Sequence, residues 1–285
     1  MSLPRFEHDA PRPVAAQGAQ SGATLERLVG LMQRLLAPDG CPWDRKQTHE
    51  SLRKYVLEEA CEVIDAIDVG DKAGLKEELG DLLLQVVFHA ELARSAGDFA
   101  IDDVVEAVVG KLVRRHPHVF GDAVAADADA VLSNWEGIKS KEKPNRGVLG
   151  GVPRSMPALV RAQRVGEKVR GVGFDWPDAA SSYGKVREEL GELQAAVDEH
   201  DAAAQEEELG DVLFALVNYA RHLGLDAEAA LRKTTDKFVR RFDHVESRVR
   251  ELHGGFGEGK IALETLDLYW DEAKADERAA QKPAT

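Results

Sequence analysis

The 285-residue chain contains only two cysteines, Cys41 and Cys61. Two cannot build a disulfide framework and neither sits in a CxxC, so they read as small buried or half-buried thiols of a reducing compartment. Aromatic residues are scarce, at 6%, and no long stretch alternates apolar and polar residues as a strand would. The longest apolar runs, 82–90 and 212–220, are too short to span a bilayer. Basic charge is in deficit: 37 Lys and Arg against 51 Asp and Glu leave a formal charge of −14. Such a surface repels duplex nucleic acid and anionic membranes, which excludes both as expected partners. A small anionic substrate stays compatible with it, given a metal or a local basic cluster to receive it. There is also no glycine-rich P-loop, Gly-x-Ser-x-Gly or HExxH element. The first 23 residues, rich in Pro, Ala, Gln and Gly without an apolar centre, read as a disordered tail rather than a signal peptide. The cytoplasm is therefore the expected location.

What the chain does have is helical periodicity. Apolar spacing predicts helices over 24–37, 50–69, 73–95, 102–115, 129–141, 158–170, 180–199, 203–223, 227–252 and 263–274. Gly70-Asp71, Gly97-Asp98, Pro117 and Gly121 punctuate them. Residues 143–157 hold Pro144, Gly147, Gly150, Gly151, Pro153 and Pro157, a linker composition. The expected organisation is all-α: a tail over 1–23, one helical domain over 24–142, the linker over 143–157, a second domain over 158–274 and a frayed end over 275–285.

An internal repeat carries the chemistry. Glu58-Glu59-x-x-Glu62, fifteen residues, then Glu78-Leu79-Gly80-Asp81 is matched by Glu188-Glu189-x-x-Glu192, the same gap, then Glu208-Leu209-Gly210-Asp211. The offset is 130 residues throughout. Lys111 and Arg115 pair with Lys237 and Arg241, and Trp135 and Lys139 with Trp270 and Lys274. So many fixed matches imply duplication.

On a helix, positions three and four apart share a face. Glu59 and Glu62 point one way, and so do Glu78 and Asp81. Glu59 falls within the apolar stripe Leu52, Tyr55, Val56, Val63, Ala66, Ile67, and Glu78 and Asp81 flank the stripe Leu75, Leu79, Leu82, Val86. An antiparallel pair turning at Gly70-Asp71 would gather four carboxylates at a half-buried seam. Desolvating them costs on the order of several kcal/mol per ion unless protons or a cation neutralise them. An all-oxygen set favours a hard ion, Mg²⁺ or Mn²⁺, able to hold phosphate oxygens and polarise water. A single EExxE would read as a solvated acidic face; its exact-gap repetition inside apolar stripes reverses that preference. A di-iron bundle needs Glu-x-x-His pairs, and none of the nine histidines has Glu or Asp three residues before it. The Lys/Arg faces suit a polyphosphate, Arg bidentately, although helix C-termini attract such cations anyway. Trp135 and Trp270 could stack on a base or fill a core. His116 and His118 read as capping or packing residues.

The segments Gly40-Cys-Pro-Trp-Asp44, Leu57-Glu-Glu-Ala-Cys-Glu62, Glu77-Glu-Leu-Gly-Asp-Leu-Leu83, Arg114-Arg-His-Pro-His-Val-Phe-Gly121, Gly173-Phe-Asp-Trp176, Glu188-Glu-Leu-Gly-Glu192, Glu207-Glu-Leu-Gly-Asp211 and 237–242 resemble the two-repeat form of the MazG family of nucleoside triphosphate pyrophosphohydrolases. The likeness extends over nearly all of 24–274. It implies a tandem all-α fold, usually dimeric, and hydrolysis of a nucleoside triphosphate to monophosphate and pyrophosphate, with broad house-cleaning specificity. It implies Mg²⁺, or Mn²⁺ in its place, on Glu189, Glu192, Glu208 and Asp211 and on Glu59, Glu62, Glu78 and Asp81. Glu188 and its counterpart Glu58, with Glu189 and Glu192, would orient or activate water. Lys237, Arg241, Trp270 and Lys274, and likewise Lys111, Arg115, Trp135 and Lys139, would face the nucleotide. In some relatives a basic residue stands a turn before Glu-x-x-Asp; here Gly74 and Ala204 stand there. Hydrolysis of a guanosine polyphosphate alarmone, or a nucleotide-binding scaffold without turnover, would use the same residues.

Overall fold

The computed structural model describes residues 24–123, 127, 131, 147–257 and 260–280. Among them all regular structure is helical. The chain divides into two compact units, 1–143 and 144–285.

The first unit contains α1 (Leu25–Leu36), α2 (His49–Val69), α3 (Lys72–Ala96), α4 (Ile101–Arg115) and the single turn α5 (Pro117–Phe120). The second contains α6 (Ala158–Arg170), α7 (Ala179–Asp198), α8 (Ala202–His222), α9 (Ala227–His253) and α10 (Leu263–Ala280). Polar side chains at the starts explain the boundaries. Thr24, Thr48, Asp71, Asp178, Asp201 and Asp226 each accept a first-turn backbone N–H, a cap worth about 1 kcal/mol. At the other end, Gly70, Gly97 and Gly254 close α2, α3 and α9 in the left-handed region.

In each unit the dominant packing is a two-helix hairpin, α2 against α3 and α7 against α8. The turns are copies of one another. Gly70 (φ +73°) precedes Asp71, whose carboxylate accepts from Ala73 N–H at 2.9 Å. His200 (φ +60°) precedes Asp201, which accepts from Ala203 N–H at 3.0 Å. The first unit closes on Met32, Leu52, Val87 and Phe88, with α1 and α4 contributing Leu28, Leu36 and Ile101. In the second, Val245, Val249 and Tyr269 join α9 to α10.

Several sequence expectations are corrected. The stripe assigned to the core face of α3 is not the buried one: Leu79 and Val86 are 49% and 42% exposed, while Gln85, Val87, Phe88, Ala90, Glu91 and Ala93 are buried. On α2, Leu52 and Ala66 are buried but Val56 and Ile67 are exposed. These helices are apolar on two sides, and α1 and α4 cover only one. Cys61 is exposed rather than buried, and Cys41 is half-buried. Pro117 opens α5 instead of merely breaking α4, as a proline can at a first helical position. The last helix runs on to Ala280, held there by an ion pair described below. Apart from residue 131, which is helical, the expected helix over 129–141, with Trp135 and Lys139, lies outside the described residues.

Candidate metal centre

Glu59 and Glu62 project from the middle of α2, Glu78 and Asp81 from the first half of α3, and the hairpin turn sets them side by side. One carboxylate oxygen from each of Glu59, Glu78 and Asp81 lies within 4.8 Å of the others. Glu62 lies beside them, close enough to raise both the Glu59 and the Glu78 carboxyl. The crowding has an electrostatic signature. Burial, followed by repulsion from Asp81 and Glu62, pushes the Glu59 carboxyl above its ordinary value. Burial and then Glu62 do the same to Glu78. Burial and like charge thus make each of these carboxyls hold a proton more tightly than it would in water.

The second hairpin repeats the arrangement. Glu189 on α7 and Glu208 and Asp211 on α8 bring carboxylate oxygens within 4.8 Å of one another, and Glu192 hydrogen-bonds Glu189. Glu189 is buried. Here one residue absent from the sequence-based site intervenes. Lys185 Nζ lies 2.7 Å from an oxygen of Glu188 and 2.7 Å from one of Glu189. Its ammonium holds the Glu189 carboxyl below the ordinary value, while the hydrogen bond to Glu189, then burial, raises Glu192. Spacing alone could have flagged Lys185, three and four residues before two glutamates.

The donor set in both places is carboxylate only, with exposed outer members that leave room for further ligands. That chemistry fits a hard divalent cation.

The basic set is assembled differently. Arg241 places its guanidinium over the Trp270 ring at 5.6 Å and donates from Nε and Nη2 to Glu277 at 2.9 and 2.7 Å. Lys237 and Arg240 also act on Glu277, which lies below its ordinary value chiefly through Arg241. Lys274 pairs with Asp271 at 2.9 Å. Trp270 packs at the edge of the Val245–Val249–Tyr269 core and against Phe238 at 4.9 Å, so its base-stacking and core-filling readings overlap. In the first unit Lys111 is exposed and Arg115 half-buried near the end of α4. His116 caps that helix, its Nδ1 lying 2.7 Å from the Leu112 carbonyl, in line with the expected capping role.

A second feature missed from sequence is the clamp at the entrance to α7. Asp175, in the Gly173–Trp176 loop, accepts from Arg221 Nη1 and Nη2 at 2.9 and 2.5 Å and lies 3.1 Å from His222 Nε2. Arg221 is nearly buried, 7% exposed, and hydrogen bonding from it lowers Asp175 to about 2. Gly166 on α6 makes room for this group. A Cβ there would meet Asn218 Oδ1 at 2.7 Å and Arg221 Nε at 3.0 Å. No short motif signals a pair 46 residues apart.

The family model for the MazG nucleotide pyrophosphohydrolase domain matches twice, over 47–120 and 180–246. A Thermotoga maritima protein named nucleoside triphosphate pyrophosphohydrolase/pyrophosphatase MazG is 46% identical over 257 residues, covering 90% of this chain and 97% of its own. The chain belongs to the MazG family. An Escherichia coli K12 protein named nucleoside triphosphate pyrophosphohydrolase is 46% identical over 266 residues, with 89% and 98% coverage. The uncharacterized YabN of Bacillus subtilis is 45% identical over 87% of this chain and 51% of its own length. Each MazG match spans a full carboxylate cluster and its Lys/Arg pair and stops short of the Trp-x-x-x-Lys elements. The carboxylates and the paired Lys/Arg are therefore the part of each repeat that the family model covers.

Proposed function

We propose that this MazG protein hydrolyses nucleoside triphosphates to monophosphates and pyrophosphate at the doubled carboxylate hairpins, with Mg²⁺ as the working ion and Mn²⁺ as a substitute. The observation that carries the reading is the convergence of Glu59, Glu78 and Asp81, and again of Glu189, Glu208 and Asp211, within 4.8 Å in a chain of this family. A divalent ion bound there would supply Lewis-acid polarisation of the phosphate chain and of an attacking water.

The protein's own groups do the rest. Glu192 and Glu62 complete the ligand sets beside Glu189 and Glu59. Glu188 and Glu58, on the exposed flank, orient water for in-line attack on the α-phosphorus. Lys237 and Arg241, and Lys111 and Arg115, receive charge developing on the departing pyrophosphate. Arg241 exchanges Glu277 for phosphate oxygens, both being anionic partners of the same fork. Trp270 and Lys274 face the nucleoside.

A second copy of the chain is the proposed partner. Leu79, Leu83 and Val86 on α3 are 49%, 44% and 42% exposed, and their repeat mates Leu209, Leu213 and Leu216 on α8 are 50%, 47% and 44% exposed. Two matching apolar stripes next to the carboxylates suit self-association. No helix among the described residues is long and apolar enough to cross a membrane, and a reducing cytoplasm suits the unpaired cysteines.

The test is a panel of nucleoside triphosphates and a guanosine polyphosphate, with Mg²⁺ or Mn²⁺, scored for pyrophosphate and monophosphate. Glu62→Ala plus Glu192→Ala should lower release by at least about 100-fold, the scale of losing a preorganised charge-stabilising group. Full activity in that double variant would sink the assignment. The single variants apportion turnover between the repeats.

A further inference from the structure

The two repeats share every carboxylate but differ one helical turn ahead of them. In the second, Lys185 reaches both Glu188 and Glu189 at 2.7 Å. In the first, the same 130-residue offset places Tyr55 there. Its ring packs edge-on to Trp43 and against the Met32 cluster, and Lys54 Nζ sits over the ring at 4.6 Å. The second cluster therefore has an ammonium against its buried carboxylate where the first has an uncharged aromatic ring.

We propose that Lys185 is a resident counter-ion of the second cluster, which holds Glu189 while the metal is absent and competes with an incoming divalent cation, whereas the first cluster has no such competitor among the described residues. The proposal rests on the reading of both clusters as metal sites.

Helix stabilisation does not account for the pair. Lys ahead of Glu is the weaker orientation of an (i, i+4) ion pair. The Glu188 arm, with that side chain 57% exposed, contributes little. The Glu189 arm is different, because that side chain is only 7% exposed, and an unpaired buried carboxylate is costly. Lys185 itself is 35% exposed on a flexible four-carbon stem. It can swing outward when a divalent ion takes the Glu189 oxygen, since two cations at contact distance of one oxygen repel. Metal affinity in the second repeat is then reduced by the strength of the pair that must break. In the first repeat, entry of the ion relieves repulsion and breaks no ion pair of this kind.

The experiment is Mn²⁺ titration of the full chain, followed by the electron paramagnetic resonance of free Mn²⁺. With the first cluster disabled by Glu59→Gln and Asp81→Asn, Lys185→Met should lower the Mn²⁺ dissociation constant roughly fivefold, the scale of one partly shielded ion pair. With the second cluster disabled by Glu189→Gln and Asp211→Asn, Tyr55→Lys should raise the constant of the first by about the same factor. Circular dichroism checks that each variant is folded; should Lys185→Met fail, the Tyr55→Lys arm decides. An unchanged or weaker Mn²⁺ affinity in Lys185→Met, or an unchanged one in Tyr55→Lys, overturns the competitor role. Absence of Mn²⁺ from both clusters of the unmodified chain overturns the metal reading itself, a separate and recognisable failure.

Discussion

Replacing Asp175 by Asn keeps the shape of the clamp on α8 and removes its charge. In the folded chain the Arg221 guanidinium, then His222, hold this carboxyl at about 2, against an ordinary 3.8. A depressed folded-state value means that the ionised clamp stabilises the fold fully above pH 4 and that this contribution is lost as pH falls toward 2. The difference converts to about 2 kcal/mol at pH 7, with roughly half remaining at pH 3. Asp175 is 15% exposed and Arg221 7%, so solvent screening removes little of it. Asn mimics the protonated acid, so the gap between Asp175→Asn and the unmodified chain should itself shrink along that curve. Urea unfolding of the full chain, followed by tryptophan fluorescence with Trp176 next to the substituted position, reads the gap at pH 7, 5, 4 and 3. Only the transition of the second unit should move. A loss below about 0.5 kcal/mol at pH 7, or a gap equal at pH 7 and pH 3, refutes the reasoning, because an ionic clamp of this burial must titrate.

Two further outcomes follow from the hairpins. His200 occupies, at φ +60°, the place where the first repeat has Gly70, and a left-handed non-glycine residue costs about 1–2 kcal/mol. His200→Gly should therefore raise stability by about 0.5–1 kcal/mol after the extra unfolded-state entropy of glycine, or about 2 °C in Tm by calorimetry; a lower Tm contradicts this. Leu213→Glu puts a charge in the exposed stripe of α8 and should convert a dimer into monomers in sedimentation velocity; an unmodified chain that already sediments as a monomer refutes the proposed partner.

Legibility in the sequence followed the range of the interactions. Helix α9 and the hairpin turns were readable because caps and periodicity act over a few residues: Asp226, Asp71 and Asp201 sit where their side chains must accept backbone N–H groups. The carboxylate clusters were readable because the repeat converted two weak patterns into one strong one. The buried face of α3 was not readable, since Leu79, Leu82 and Val86 have the same periodicity as the residues that pack, and only the positions of α1 and α4 choose between the two sides. The Asp175–Arg221 clamp, the Arg241–Glu277 pair that extends α10, and the room left by Gly166 all join residues far apart in sequence. Lys185 is the exception: its neighbours were in plain view, but a lysine before glutamates on a helix ordinarily means a solvated face.

The positions of Asp175 and Asp201 show what holds a crowded anionic hairpin in shape. Carboxylates gathered at one seam push α7 and α8 apart, and Lys185 opposes this within the cluster. The opposing contacts lie at the ends. Asp201 caps the first turn of α8, Asp178 caps α7, and Asp175, three residues before that cap, ties the entrance of α7 to the far end of α8 through Arg221 and His222. The hairpin is thereby fixed at both extremities while its repelling groups occupy the middle. A ligand set held from outside costs little reorganisation when a cation arrives, which is the condition under which electrostatic preorganisation is most effective. In the first repeat the corresponding turn is capped by Asp71, but position 91, the counterpart of Arg221, is a glutamate that pairs with Arg94 within α3 itself. The clamp across the hairpin therefore belongs to the second repeat, together with Lys185. The two copies have kept one set of carboxylates and diverged in what holds them.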